Sequence, residues 1–317
     1  MRQLQIGSRL VSDSSECFVI AEVGHNHGGS VQTACDMIRI AASCGTYAVK
    51  LQKRDNATLY SQALLDQPYE NENSFGKTYG EHREALEFTR PEYLICKQEA
   101  DRSRVEFFAT AFDEPSVDFL MNIGVPAIKI ASGGLTDRPL LRYVAKQHVP
   151  IILSTGGGNY TDIDNAVDVI TAQHDKLAIL HCCAAYPVRD WKEHNLACIV
   201  ALRQMYPNFV IGWSGHDNGI ALAVMAYTLG ARIIEKHVTL DRSSKGTDHA
   251  FSLEPAGLRK MCRDLKRAHL AMGDGLKKFL PSEVGPISKM RRRETPQGMQ
   301  ITGAKDEPST NSNSSAA

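Results

Sequence analysis

The chain has 317 residues, 43% of them hydrophobic, with 36 Lys+Arg balanced by 36 Asp+Glu. That length holds one large domain or two ordinary ones, and the apolar content supports a buried core and excludes bulk disorder. Zero formal net charge excludes a general nucleic-acid binder but leaves room for a local basic pocket that takes a small anion. In chain order, near-continuous apolar runs at residues 18–23, 47–52, 105–110, 127–132, 151–154, 177–182, 210–214 and 232–237 predict eight strands buried on both faces. Helical patterns alternate with them at 31–42, 89–102, 115–121, 140–147, 160–172, 192–205, 219–229 and 255–272. Thr89 with Glu92, and Thr161 with Asp164, have the spacing of capping boxes.

Eight βα units of this size predict an α/β fold of the (β/α)8 TIM barrel kind, spanning residues 1–285. A doubly wound open sheet is the main rival, and it lacks support because no G-x-G-x-x-G follows the first strand. Residues 54–81 form a long insertion with Tyr60, Tyr69 and Tyr79, of the length used for lids. Residues 286–317 are expected to be a basic spacer (MRRRE at 290–294) and a polar tail, disordered over 303–317. No run of about 18 apolar residues occurs, so no membrane span is expected. The N-terminus lacks the apolar core of a secretory signal, and the eight cysteines include no CxxC pair; both point to a reduced, cytoplasmic protein.

In a barrel, side chains at the C-terminal ends of the strands converge on one face. Here those ends carry Glu22, then Lys50 and Gln52, Thr110, Lys129 and Ser132, Ser154, His181 and Cys182, Ser214 with His216, and Glu235 with His237. Such polarity at the mouth of an apolar core is costly without partners or a ligand, which favours an enzyme over a structural barrel. Lys50 and Lys129 suggest an anionic substrate group, with Ser132, Ser154 and Ser214 adding hydroxyls; either lysine could instead serve a structural ion pair. The Gly156–Gly157–Gly158 turn offers amides that could approach an anion, although any tight turn could use such a run. His216 and His237 could hold one divalent ion, with Glu22, Glu235 or Asp248 on the oxygen side; singly, each also fits a packing role. His25 and His27, two apart in a turn, suit hydrogen bonding better than metal. Cys182-Cys183 reads as packing rather than a redox pair. No G-x-S-x-G elbow, P-loop or zinc ribbon is present.

The motifs AEVGHNHGGS, VKLQ, ATAFDEPSVDFL, IKIASGGLTDRPLL, IILSTGG, LHCCAAYP, IGWSGHDNGIA and EKHVTLDRSSKGTDHAFSLEP resemble the N-acetylneuraminate (sialic acid) synthase family, from about residue 19 to 254. The resemblance implies condensation of phosphoenolpyruvate with an amino sugar such as N-acetylmannosamine, with loss of phosphate by C–O cleavage. It implies Lys50, Thr110, Lys129, Ser132, Ser154 and Ser214 around phosphoenolpyruvate. It places His216 and His237 on an Mn2+- or Mg2+-type ion, and Glu22, Gln52, Tyr186 and Asp248 toward the sugar. Glu22, Lys50, Lys129 and Glu235 are the expected catalytic set. A homodimer is expected. Two departures stand out. Ala184 replaces the Asn usual in the family, and the short polar stretch after MRRRETP is expected not to form the antifreeze-like C-terminal domain that many members carry. The alternatives are the same reaction on another aldose, giving a legionaminate, pseudaminate, deaminated nonulosonate or 3-deoxy-octulosonate product, and a binding barrel without turnover.

Overall fold

The computed structural model describes residues 2–308. In chain order a hairpin, β1 (Gln3–Ile6) and β2 (Arg9–Ser12), precedes β3 (Phe18–Gly24), α1 (Val31–Cys44) and β4 (Ala48–Lys53). Short helices α2 (Asn56–Leu59), α3 (Gln62–Leu65) and α4 (Tyr79–Glu84) lead into α5 (Arg90–Ser103) and β5 (Glu106–Ala111). Then come α6 (Glu114–Ile123), β6 (Ile128–Ile130), α7 (Arg138–Ala145), β7 (Ile151–Ser154), α8 (Tyr160–Thr171) and β8 (Leu177–Cys182). The series continues with α9 (Ala197–Met205), β9 (Val210–Gly215), α10 (Ala221–Thr228), β10 (Ile233–His237), α11 (Pro255–Met272) and α12 (Val284–Ser288). It ends with β11 (Arg292–Thr295) and β12 (Gly298–Ile301).

Strands β3 to β10 form a closed, wholly parallel barrel, with β10 pairing β3 to close the ring. This is the (β/α)8 fold expected from the sequence. The strands are buried because their apolar side chains face the barrel interior on one side and the helices on the other. Register aligns the polar ends: His237 lies opposite Glu22, Glu22 opposite Lys50, Gln52 opposite Thr110, Thr110 opposite Lys129, and Ser214 opposite Glu235. Adjacent strand ends therefore deliver their side chains to one level. The β3–β4 register shifts between Glu22 and Gly24. Gly24 has φ +55°, and a Cβ there would lie 3.3 Å from both Gln52 Nε2 and Glu22 Oε1, so a side chain would strain the backbone and crowd both groups.

Three expectations differ from the structure, and one element has no counterpart among them. The helix at α8 is boxed by Asn159 and Asp162, not Thr161 and Asp164, because the helix already begins at Tyr160. The predicted helix at 192–205 breaks at Asn195, which has φ +36°, into a 3-10 turn (Trp191–His194) and α9. The N-terminal hairpin was not foreseen; Leu4 and Ile6 alternate with exposed Gln3 and Gln5 before a Gly-Ser turn, which is its signature. The basic stretch at 290–294 contributes to a strand, β11, instead of a spacer. The described residues divide between Ala271 and Met272 into two compact units, the first with the barrel and the second with the C-terminal hairpin. Part of the stretch expected to be disordered, 309–317, lies outside the described residues. No helix among the described residues is long and apolar enough to cross a membrane, and all eight cysteines are free.

Candidate active site

The strand ends surround a cavity of about 330 Å³. It is lined by Glu22, Lys50, Gln52, Thr110, Lys129, Ser132, Ser154, Tyr186, Ser214, His216, Glu235, His237 and Asp248, the residues expected in the catalytic, substrate and metal sets, whereas His181, also at a strand end, is turned to the His194 carbonyl at 2.7 Å. On the floor, two lysines stand beside two carboxylates. Lys50 Nζ lies 2.6 Å from Glu22 Oε2 and donates to Thr110 Oγ1 at 2.7 Å. Lys129 Nζ donates to Ser154 Oγ at 2.7 Å and to the Ile130 carbonyl at 3.2 Å. Both ammonium groups lie 3.9 Å from Glu235 Oε1, which also accepts from Ser214 Oγ at 3.1 Å. Because Thr110 and Ser154 accept from the lysines, their own hydroxyl protons stay available to a ligand.

Burial works against the charged form of Glu235, but Lys129 and Lys50 outweigh it and hold the carboxyl well below its ordinary range. Burial lowers Lys129, with Glu235 opposing the shift. Glu235 Oε2 is buried without a hydrogen-bond partner, so an ionised oxygen is left for a ligand. Glu22 is fixed on its other oxygen, since Gln52 Nε2 donates to Glu22 Oε1 at 2.7 Å. Gln52 Oε1 in turn accepts from Arg54 Nη2 at 2.7 Å.

His216 and His237 come together with ring centroids 5.4 Å apart. His216 is held neutral, down to about 3, by burial and then by the neighbouring His237. Its Nδ1 donates to the Cys183 carbonyl at 2.8 Å, which leaves the Nε2 lone pair free. His237 Nδ1 is buried without a hydrogen-bond partner, although Asp248 Oδ2 stands 3.4 Å away. An imidazole pair in which each ring keeps a nitrogen without a hydrogen-bond partner fits a divalent ion. No group of three or more His, Cys, Asp or Glu that could hold a metal occurs among the described residues, so substrate oxygens and water would complete the shell. The Tyr186 ring packs on His216 with centroids 4.1 Å apart.

The glycine turn does not serve as the sequence suggested. Gly156 N donates to Ser132 Oγ at 3.0 Å and Gly158 N to the Thr155 carbonyl at 3.3 Å, so two of its three amides are used internally. A Cβ on Gly156 would meet Ser132 Oγ at 2.8 Å and Ala184 Cβ at 3.0 Å, so the glycine is needed for packing. His25 Nε2 accepts from Arg54 Nη1 at 2.8 Å, and His27 Nδ1 accepts from Gly29 N at 3.1 Å, as their turn position suggests. Burial pushes the Cys182 thiol up to about 11, so this cavity residue is a neutral thiol. Arg54, Arg83 and Phe112 also line the cavity and were not anticipated. Arg54 lies just past the strand end and Arg83 on the insertion, so no strand periodicity points to either.

The NeuB family model matches residues 37–277. The chain is 34% identical over 299 residues to human N-acetylneuraminate-9-phosphate synthase, covering 93% of this chain and 83% of that protein. It is 33% identical over 286 residues to the N,N'-diacetyllegionaminic acid synthase of Legionella pneumophila, covering 88% and 80%. Among solved structures, the N-acetylneuraminic acid synthetase of Leptospira borgpetersenii, in complex with citrate, superposes with a TM-score of 0.79 at 32% identity, covering 90% of this chain and 95% of that one. The chain therefore belongs to the NeuB family, and it is a sialic-acid-synthase-like transferase of the phosphoenolpyruvate-dependent, carbon–carbon bond-forming type.

Proposed function

We propose that this chain condenses phosphoenolpyruvate with the open-chain aldehyde of an N-acetylmannosamine-like amino sugar, giving a nonulosonic acid and phosphate. The observation that carries this reading is the paired arrangement Lys50–Glu22 and Lys129–Glu235 on the cavity floor, beside the His216–His237 imidazole pair. Lys50 and Lys129, with the hydroxyls of Thr110, Ser132, Ser154 and Ser214, hold the phosphate and carboxylate of phosphoenolpyruvate. Their positions are set by strand register, so they need little rearrangement to receive the anion. His216 and His237 would hold an ion of the Mn2+ or Mg2+ type, which as a Lewis acid polarises a carbonyl.

C3 of phosphoenolpyruvate attacks the aldehyde carbon, whose C=O π bond opens as its oxygen takes up a proton, and the resulting cation at C2 takes up water. Glu235 is ionised and has one unpartnered oxygen, so it is placed to accept a proton from that water. The tetrahedral adduct then loses phosphate by cleavage of its C–O bond. Glu22, clamped between Lys50 and Gln52, orients the sugar's oxygens or relays a proton. Gln52, Tyr186 and Asp248 face the sugar. The test is phosphate release from phosphoenolpyruvate with Mn2+ and a panel of N-acetylmannosamine, its 6-phosphate, mannose and diacetamido-hexoses. Release with an amino sugar is expected. No release with any of them, together with retained phosphoenolpyruvate binding, would leave a binding barrel instead.

A further inference from the structure

A chain of side chains leads to the Glu22 carboxylate from just beyond the end of β4. Arg54 follows the last residue of that strand and is only 7% exposed. Its guanidinium carbon lies 3.8 Å from the Phe112 ring centroid, and its backbone N donates to Glu87 Oε2 at 3.2 Å. Both terminal nitrogens are used at once: Nη1 donates to His25 Nε2 at 2.8 Å and Nη2 to Gln52 Oε1 at 2.7 Å. Gln52 Nε2 then donates to Glu22 Oε1 at 2.7 Å, and Glu22 Oε2 stands 2.6 Å from Lys50 Nζ. All four links, Arg54, Gln52, Glu22 and Lys50, line the cavity.

The direction of this chain is forced from both ends. A guanidinium carries only donors, and a carboxylate in an ion pair carries only acceptors. Gln52 is the one link that can point either way, because its amide presents an oxygen on one side and an NH2 on the other. Turned over, the NH2 would face the N–H of Arg54 and the oxygen would face Glu22 Oε1. Two hydrogen bonds would be lost, and like groups would oppose each other in a part-buried place. The planar fork of Arg54 meets His25 and Gln52 at a fixed angle, which a single ammonium group does not do. Arg54 also lies 3.9 Å from Glu87, but that contact is redundant, since Lys53 Nζ reaches Glu87 at 2.9 Å.

We infer that Arg54 is a positioning residue for the condensation: acting through Gln52, it fixes the Glu22 carboxylate beside Lys50 at the sugar side of the cavity. This rests on the synthase reading above, in which Glu22 orients the sugar's oxygens or relays a proton. Without Arg54 the Gln52 amide is free to turn over. Glu22 then keeps its Lys50 contact on one oxygen and swings about it, which spoils the alignment of the reacting groups. Lys129 and Ser154 stand outside this chain, so the loss falls on the acceptor step and not on the binding of phosphoenolpyruvate.

The experiment compares Arg54→Met, Arg54→Lys, Gln52→Leu and the double variant Arg54→Met/Gln52→Leu. Each is a full chain with Mn2+, phosphoenolpyruvate and whichever sugar of the panel above the wild type uses. Arg54→Met should lower kcat roughly 10- to 100-fold, the usual worth of a hydrogen bond to a charged group. Its affinity for phosphoenolpyruvate, read by calorimetry, should stay that of the wild type. Arg54→Lys keeps one donor and should recover part of the loss. In the Gln52→Leu background Arg54→Met should cost little more, because the route through Gln52 is already gone. Full kcat in Arg54→Met, or a loss that adds in full to that of Gln52→Leu, overturns the inference. A phosphoenolpyruvate affinity that falls in step with kcat also overturns it, by assigning Arg54 a merely structural role. A spectroscopic reading needs no turnover. In protein carrying nitrogen-labelled glutamine, the side-chain amide resonance missing from Gln52→Leu belongs to Gln52. Arg54→Met should shift it and speed the exchange of its protons with water; an unmoved resonance overturns the inference. If the wild type turns over no sugar, the synthase reading fails, and this resonance alone decides whether Arg54 orients Gln52. Circular dichroism checks folding, and Arg54→Gln takes the place of Arg54→Met in every comparison if the latter is unfolded.

Discussion

Lys236 Nζ donates to Asp217 Oδ1 at 2.6 Å and to the Asp217 carbonyl at 2.7 Å, and both side chains are almost completely buried. Lys236 alternates outward between the inward-facing Glu235 and His237, and Asp217 follows His216. One ion pair in the barrel wall therefore ties together the backbones that carry both imidazoles. Breaking a buried pair from one side leaves an uncompensated charge. Lys236→Met should cost about 3–5 kcal/mol in urea unfolding. The double variant Lys236→Met/Asp217→Leu should recover much of that loss, and a purely additive cycle would contradict the pairing.

Lys129 has two roles on the floor, as an anion ligand and as a counter-charge to Glu235. Lys129→Ala should weaken phosphoenolpyruvate binding roughly 10- to 100-fold, judged by the strength of a charged hydrogen bond. Calorimetry without acceptor reads this directly. Unchanged affinity would place phosphoenolpyruvate elsewhere.

The imidazole pair predicts a requirement for a divalent ion. Chelator treatment or His216→Ala should suppress phosphate release by orders of magnitude, and Mn2+ should restore it in the chelated wild type but not in the variant. Electron paramagnetic resonance of added Mn2+ should show loss of the bound signal in His216→Ala. Release indifferent to chelator would remove the metal from the scheme.

His27 is buried against Phe88, with ring centroids 4.1 Å apart, and burial lowers it from its ordinary value to about 4. The unfolded chain takes up the proton near pH 6.5, whereas the folded state resists until about 4. Stability is therefore full above pH 6.5 and lost as the pH falls toward 4, by roughly 3 kcal/mol from this group. Urea unfolding between pH 7.5 and 4 measures the slope, and His27→Gln should flatten it. An equally steep profile in the variant would assign the loss to other groups.

The barrel was legible because two periodicities are written directly in the chain. Continuous apolar runs mark strands covered on both faces, and amphipathic stretches mark the helices between them. The polar residues that end those strands were legible for the same reason: a closed parallel sheet sends Glu22, Lys50, Lys129, Ser154, Ser214 and Glu235 to one rim. Arg83 was not legible, because its place over the cavity depends on how the excursion after β4 folds back, and no local period encodes that. The Lys236–Asp217 pair was also hidden, since alternation assigns Lys236 to the outer face without saying what waits there.

The sequence by itself determined the fold class, the strand ends and the chemical character of the floor, since these follow from spacing and side-chain type. Only the tertiary structure decided which charges are cancelled. Ion pairing acts over a few ångströms between groups far apart in the chain, such as Lys50 with Glu22 and Glu235. A formal charge of zero is thus compatible with a cavity floor of matched pairs, Lys50 with Glu22 and Lys129 with Glu235.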